Sequence, residues 1–185
     1  CSRPYLLFVG GISPHKNLCT LLDAMDLVLE DHDVQLVMVG DPLASGFLTN
    51  CSELQAKIDA SEVLKAHCTF TGFVPDETLV ALYSRAQALM FPSLGEGFGL
   101  PAVEAMSQGV PVLASSAGSL QEIVGDAGLY YPPLDAAEMA RKINAFLSDP
   151  TLQTTLRERA LERVKRFTWE RAADLAMESL TRAAN

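Results

Sequence analysis

The sequence predicts an α/β fold, a single parallel sheet of about six strands with helices on both faces. Three observations predict it. Short apolar runs such as Tyr5-Leu6-Leu7-Phe8-Val9 lack the polar alternation of a half-solvated strand, so they read as strands buried on both faces. Several of these runs stop at a glycine, as at Gly10, Gly40 and Gly72. Longer segments with apolar residues at helical spacing separate them.

The elements follow in order. After the strand over 5–9, Leu18, Leu21, Leu22, Met25 and Leu29 share one helical face. Val34 to Val39 is the second strand. Leu54, Ile58 and Leu64 mark another helix, and Cys68 to Thr71 the third strand. Asp76 stands where an N-cap belongs, ahead of Leu79, Leu82 and Tyr83. Ala88 to Phe91 is the fourth strand. Pro101 to Gln108 is a compact helix, with Pro101 at its first position and Gly109 past its end. Val112 to Ala114 and Gly128 to Tyr131 are the fifth and sixth strands. The remainder is helical over about 135–148, 151–166 and 168–183, with Pro150 separating the first two and Thr168 capping the third. In the last helix, Trp169, Ala172, Ala173, Ala176 and Leu180 share a face that is expected to stay exposed or to pack on another copy.

Composition narrows the function. The 185 residues amount to one domain at about 100–200 residues per domain. Fourteen Lys and Arg stand against 23 Asp and Glu, a net charge of −9, which argues against a nucleic-acid or anionic-membrane surface. No apolar run approaches the ~18 residues of a membrane span. Cys1-Ser2-Arg3-Pro4 is no signal peptide and reads like a chain cut just before a strand. Cys1, Cys19, Cys51 and Cys68 form no C-x-x-C pair and read as thiols of a reducing cytosol, so the expected location is cytoplasmic, reaching the membrane surface in a longer protein. His15, His32 and His67 are scattered, and no metal is expected. Asp31-His32-Asp33 falls before a strand and reads as a solvated turn.

In such folds ligands bind at the carboxyl ends of the strands. The first loop, Gly10-Gly11-Ile12-Ser13-Pro14-His15-Lys16-Asn17, lets a ligand approach the backbone and sets Lys16 at the start of the following helix. That describes a phosphate site or, more plainly, a tight turn with a solvated lysine. The loop after the fourth strand places Gly97 and Gly99 ahead of a helix N-terminus, where backbone N–H groups favour phosphate or developing negative charge. Glu96 would repel a bare phosphate but would accept hydrogen bonds from hydroxyls, so a sugar joined to a diphosphate satisfies both. Plainer readings make Glu96 a solvated loop residue, Glu104 a first-turn helix charge and Phe98 a buried staple.

Glu96-Gly97-Phe98-Gly99-Leu100-Pro101-Ala102-Val103-Glu104 resembles the E-x7-E signature of the retaining glycosyltransferases with the two-domain GT-B fold, group 1 or family 4. Gly72-Phe73-Val74-Pro75-Asp76-Glu77-Thr78-Leu79 resembles that family's nucleobase loop. Phe91-Pro92-Ser93, Gly109-Val110-Pro111-Val112 and Glu122-Ile123-Val124-Gly125-Asp126-Ala127 also match, so the likeness extends over nearly the whole chain.

The resemblance implies a Rossmann-like domain, the C-terminal, donor-binding half of a GT-B enzyme, with residues 1–185 binding a nucleotide-sugar and an N-terminal acceptor domain outside this sequence. On that pattern Lys16, with Gly10, Gly11 and His15 in its loop, contacts the diphosphate. Glu96 holds hydroxyls of the transferred sugar, and Gly97, Phe98, Gly99 and Leu100 supply backbone donors. Glu104 holds the ribose, and the base rests near Val74. The implied catalytic residues are Glu96 and Lys16. The implied partners are a GDP- or UDP-sugar, with a lean toward GDP-mannose, and a sugar or lipid-linked acceptor of polysaccharide or glycolipid assembly. Many relatives carry Gly-Arg where Gly10-Gly11 stands, and a subset carries Pro-Arg-Lys-Asn where Pro14-His15-Lys16-Asn17 stands. A non-catalytic nucleotide-binding module is the alternative. A dinucleotide-binding dehydrogenase is disfavoured because its G-x-G-x-x-G fingerprint is missing.

Overall fold

A computed structural model describes residues 3–40 and 51–183. Its core is a six-stranded sheet in the order β3-β2-β1-β4-β5-β6, with every neighbouring pair parallel. The strands are β1 (Tyr5–Val9), β2 (Gln35–Val39), β3 (Cys68–Gly72), β4 (Ala88–Phe91), β5 (Val112–Ser115) and β6 (Gly128–Tyr131). Successive residues of β1 feed opposite faces. Leu6 and Phe8 join the core under α1 (Leu18–Val28). Tyr5 and Leu7 join the opposite core. This is why β1 reads as an unbroken apolar run: both of its faces are covered.

Among the described residues the further α-helices are α2 (Cys51–Ala60), α3 (Glu62–His67), α4 (Asp76–Arg85), α5 (Leu100–Ser107), α6 (Leu120–Val124), α7 (Ala136–Ser148), α8 (Pro150–Val164) and α9 (Trp169–Ala183). α1 packs on α7 on one face, and α5 packs on α8 on the other. The cap at Thr168 is as the sequence predicts: its Oγ1 accepts from Arg171 N at 3.2 Å. Asp149 caps α8 through two backbone N–H groups at 2.9 and 3.0 Å, with Pro150 at its first position.

Several boundaries differ from the sequence reading. The helix expected through Leu54, Ile58 and Leu64 is two helices, because Ser61 caps α3 through Leu64 N and its hydroxyl donates to Asp26 at 3.0 Å. Asp76 is the first residue of α4 and Pro75 the cap, so Asp76 acts on the helix dipole instead of closing a hydrogen bond. α5 starts at Leu100, one residue before Pro101. The short α6 has too few residues to show a periodic face. No helix among the described residues is long and apolar enough to cross a membrane. Every described residue of α9 is exposed, Trp169 at 84% included, so the rest of this domain does not cover its apolar face.

The strand order reverses direction between β1 and β4, and this places the loops that follow them on either side of one crevice. Two contacts hold the crevice in shape. Gly10 N donates to Val39 O at 3.0 Å, drawing the end of β1 onto that of β2. The backbone at Gly40 lies so close that a Cβ there would sit 2.2 Å from Gly10 O. On the other side Asn17, buried and left-handed at φ 57, inserts its amide between loops. Its Nδ2 donates to Pro92 O at 3.0 Å and Pro133 O at 2.6 Å, while its Oδ1 accepts from Thr20 at 2.7 Å. Asparagine tolerates the left-handed region better than other side-chain-bearing residues.

Two stability predictions follow from these contacts. Gly40→Ala is expected to lower the unfolding free energy in urea by about 1–3 kcal/mol, the cost of forcing bulk against fixed backbone. Unchanged stability would show that the loops separate freely. Asn17→Gly, which keeps the left-handed backbone and removes the amide, is expected to cost about 1–3 kcal/mol through unpaired buried carbonyls. A glycine variant as stable as the parent would deny the amide any part in joining the loops.

Candidate functional site

The site begins with Lys16. A single turn of 3-10 helix over Pro14–Lys16, closed by Lys16 N on Ser13 O at 2.9 Å, follows the glycines of the first loop. Lys16 therefore ends this turn, two residues ahead of α1, and does not itself open the long helix. The same loop is stitched to its counterpart after β4 by Leu94 N donating to His15 O at 2.8 Å. The His15 ring is exposed and bonds Ser13 Oγ at 3.1 Å. Gly10 spends its N–H on Val39, so the open backbone of this loop lies at Gly11, where a Cβ would meet nothing within 4 Å.

Glu96 is held by its backbone. Its carbonyl accepts from Ser119 Oγ at 3.1 Å and from Ser119 N at 3.4 Å. Gly118, left-handed at φ 64, lets the loop after β5 press so closely that a Cβ would lie 2.8 Å from Glu96 N. Ser115, at the end of β5, donates to Ser93 O at 2.5 Å and steadies the start of the same loop.

These two anchored backbones bring the side chains together. Lys16 Nζ donates to Glu96 Oε1 at 2.6 Å, across 80 residues of sequence. The two side chains are only 17% and 15% exposed. The ammonium also lies 5.8 Å from the centre of the Phe91 ring. Burial pushes the Glu96 carboxyl up, but the Lys16 ammonium, the Ser93 hydroxyl and the charge of His15 together hold it below the usual carboxylate range. Ser93 Oγ itself is buried and, as placed, makes no hydrogen bond.

Beyond Glu96 the loop enters α5. Leu100 is the first helical residue, and the opening N–H groups of a helix have no partner within it. Gly97, Phe98 and Leu100 are exposed there, whereas Gly99 is buried. Phe98 is not the buried staple that its spacing permits: its ring is 44% exposed and meets Phe167 edge-on at 5.8 Å.

Glu104 lies in the second turn of α5, because the helix begins one residue earlier than its proline indicates; no acidic residue occupies the first turn. Its exposed carboxylate is oriented by Tyr83, whose hydroxyl donates to Oε2 at 2.8 Å. Tyr83 is buried on α4, and burial together with the Glu104 carboxylate pushes its phenol well above the ordinary range. In the sequence Tyr83 is one more apolar position of a helical face; that it reaches Glu104 is visible only in space. α4 follows directly on Val74, which is half-buried against the core that contains Tyr83. Phe73, beside Val74, is 85% exposed, a feature the sequence reading passed over.

The predicted residues thus fall into two groups. Gly11, His15, Lys16 and Glu96 converge at the reversal of strand order. Glu104, with its orienting Tyr83, belongs to the α4–α5 side, as does Val74. Among the described residues no group of three or more His, Cys, Asp or Glu is placed to hold a metal ion. Asp33 of the Asp31-His32-Asp33 turn is paired with Arg3 at 3.4 Å and His67 at 3.2 Å.

Known proteins resemble this chain along most of its length. It is 35% identical to the O-antigen chain mannosyltransferase B of Escherichia coli over 166 residues, which is 90% of this chain and 42% of that protein. It superposes on the sucrose-phosphate synthase of Thermosynechococcus elongatus with a TM-score of 0.84 and 35% identity, covering 99% of this chain and 46% of that one. It superposes on Anabaena HepE, solved in complex with UDP, with a TM-score of 0.82 and 26% identity, covering 97% and 49%. The chain spans less than half the length of each of these relatives. Residues 2–163 match the family described as glycosyl transferases group 1, and the chain belongs to that family.

Proposed function

We propose that this chain is the donor-binding half of a retaining glycosyltransferase, which moves a sugar from a nucleotide-diphospho-sugar to an acceptor hydroxyl. The observation that carries the reading is the convergence of Lys16 and Glu96 at the reversal of strand order, next to the N-terminus of α5. A cation and free backbone donors suit a diphosphate, and a carboxylate beside them suits hydroxyls. In this reading Lys16 takes the diphosphate, with backbone donors from Gly97 to Leu100. Glu96 takes sugar hydroxyls, Glu104 takes the ribose, and the base lies along the Val74 segment.

The main catalytic task is to stabilise the charge that develops on the departing diphosphate. Fixed donors do this without reorganising, and the proposed chemistry calls on no metal. An N-terminal domain supplies the acceptor site, so this half by itself turns over no substrate. The donor is a GDP- or UDP-sugar. The mannosyltransferase relative supports GDP-mannose and assembly of a polysaccharide or glycolipid, and the UDP complex of HepE supports a uridine nucleotide. Gly11, exposed where many group members place an arginine, favours a second reading, a nucleotide-binding module without transfer. Sugar transfer by the intact protein separates the two.

Isothermal titration with UDP, GDP and their sugar conjugates tests the function directly: saturable binding of one nucleotide series is expected, and binding of neither overturns it. Glu104→Gln is expected to weaken nucleoside-diphosphate binding by about 1.5–3 kcal/mol, as for hydrogen bonds to charged groups. Tyr83→Phe removes only the orienting bond and is expected to cost about 0.5–1.5 kcal/mol. Both losses are expected to disappear with a 2′,3′-dideoxy nucleotide, which offers Glu104 no hydroxyl. Equal losses with ribose and dideoxyribose would place Glu104 outside the ribose site.

A further inference from the structure

We infer that the Lys16–Glu96 ion pair is a built-in competitor of the diphosphate, and that it makes the site favour a sugar-bearing nucleotide over the bare nucleotide. The inference rests on the reading above, in which Lys16 binds the diphosphate. It assigns Glu96 a second role, in deciding which nucleotide stays bound.

The pair occupies the very group the diphosphate needs. Nζ and Oε1 are 2.6 Å apart, and both side chains are largely withdrawn from water. Solvent therefore screens this pair less than one on the open surface. Neither partner is free to drift away with its backbone. Lys16 closes a 3-10 turn stitched to the opposite loop through His15. Glu96 is clamped by Ser119 and by the close approach at Gly118. A ligand must therefore exchange partners side chain by side chain, within a frame that stays in place.

The outcome of the exchange depends on what the ligand carries. A bare nucleoside diphosphate takes Lys16 and leaves the Glu96 carboxylate without its cation, beside added negative charge. The nearby Ser93 hydroxyl is uncharged and does not replace an ammonium. A nucleotide-sugar takes Lys16 equally, but its hydroxyls donate to the carboxylate it has displaced. Leaving a largely buried charged acceptor unpaired is the expensive outcome, and only the sugar prevents it. Once the sugar has gone, re-formation of the pair opposes retention of the diphosphate.

The test is isothermal titration of the intact protein and its Glu96→Gln, Glu96→Ala and Lys16→Met variants. The probes are UDP and GDP and a sugar conjugate of whichever binds, with circular dichroism confirming the fold of each variant. In both Glu96 variants the bare nucleotide is expected to bind about tenfold tighter, since the competitor for Lys16 is gone. The sugar conjugate is expected to gain nothing or to weaken, so the preference for it narrows. Lys16→Met is expected to weaken both ligands. Bare-nucleotide affinity that is unchanged or weaker in the folded Glu96 variants overturns the competition, and the function stands if the parent binds and Lys16→Met loses affinity. A parent that binds neither nucleotide overturns both.

Discussion

Asn17 carries an uncharged amide into the space between three loops, and the site depends on that placement. Its two N–H bonds reach Pro92 and Pro133, beyond the ends of β4 and β6, while its own backbone follows directly on Lys16. Buried carbonyls need donors, and an amide supplies two of them without bringing a charge into the interior. The left-handed backbone at this residue turns the chain from the 3-10 turn into α1. One residue thus links the course of the first loop to the position of the loop that bears Glu96. The strand order brings the two loops to the same crevice, and Asn17 with the His15–Leu94 backbone bond sets their spacing.

The electrostatics of the crevice oppose those of the whole molecule. A net charge of −9 repels an anionic ligand at long range. Local groups must outweigh it, and the strongest of them, Lys16, is engaged with Glu96 before any ligand arrives. Affinity at such a site is set by exchange between partners. The ligand feature that satisfies the displaced carboxylate therefore matters as much as the one that meets the ammonium. The Tyr83–Glu104 pair obeys a different rule, since its donor is neutral and it orients the carboxylate without neutralising it.

The strands were legible because burial on both faces writes itself as a continuous apolar run, and Tyr5–Val9 and Ala88–Phe91 are bounded as read. Caps were legible where a side chain closes a hydrogen bond, as Thr168 does. They misled at Asp76, where a proline one residue earlier takes the cap. The break at Ser61 is where Leu64 falls out of helical register with Leu54 and Ile58, and the serine bonds to Asp26 on another helix. At five residues α6 is too short to repeat the period by which helices are recognised.

Sequence alone determined the class of fold, the loops to inspect and the chemistry of their residues. Apolar period, glycine placement and the Glu96–Glu104 spacing are local properties, and local properties survive in one dimension. Tertiary structure alone decided the partners. Lys16 meets Glu96 across 80 positions, and Tyr83 meets Glu104 across 21. Phe98 turns outward onto Phe167 instead of inward onto its own helix. Each of these outcomes depends on how strands separated in sequence are ordered in the sheet and on which faces of the helices the sheet covers. No stretch of sequence encodes a charge's distance from a partner on another strand's loop; that distance exists only once the whole sheet has assembled.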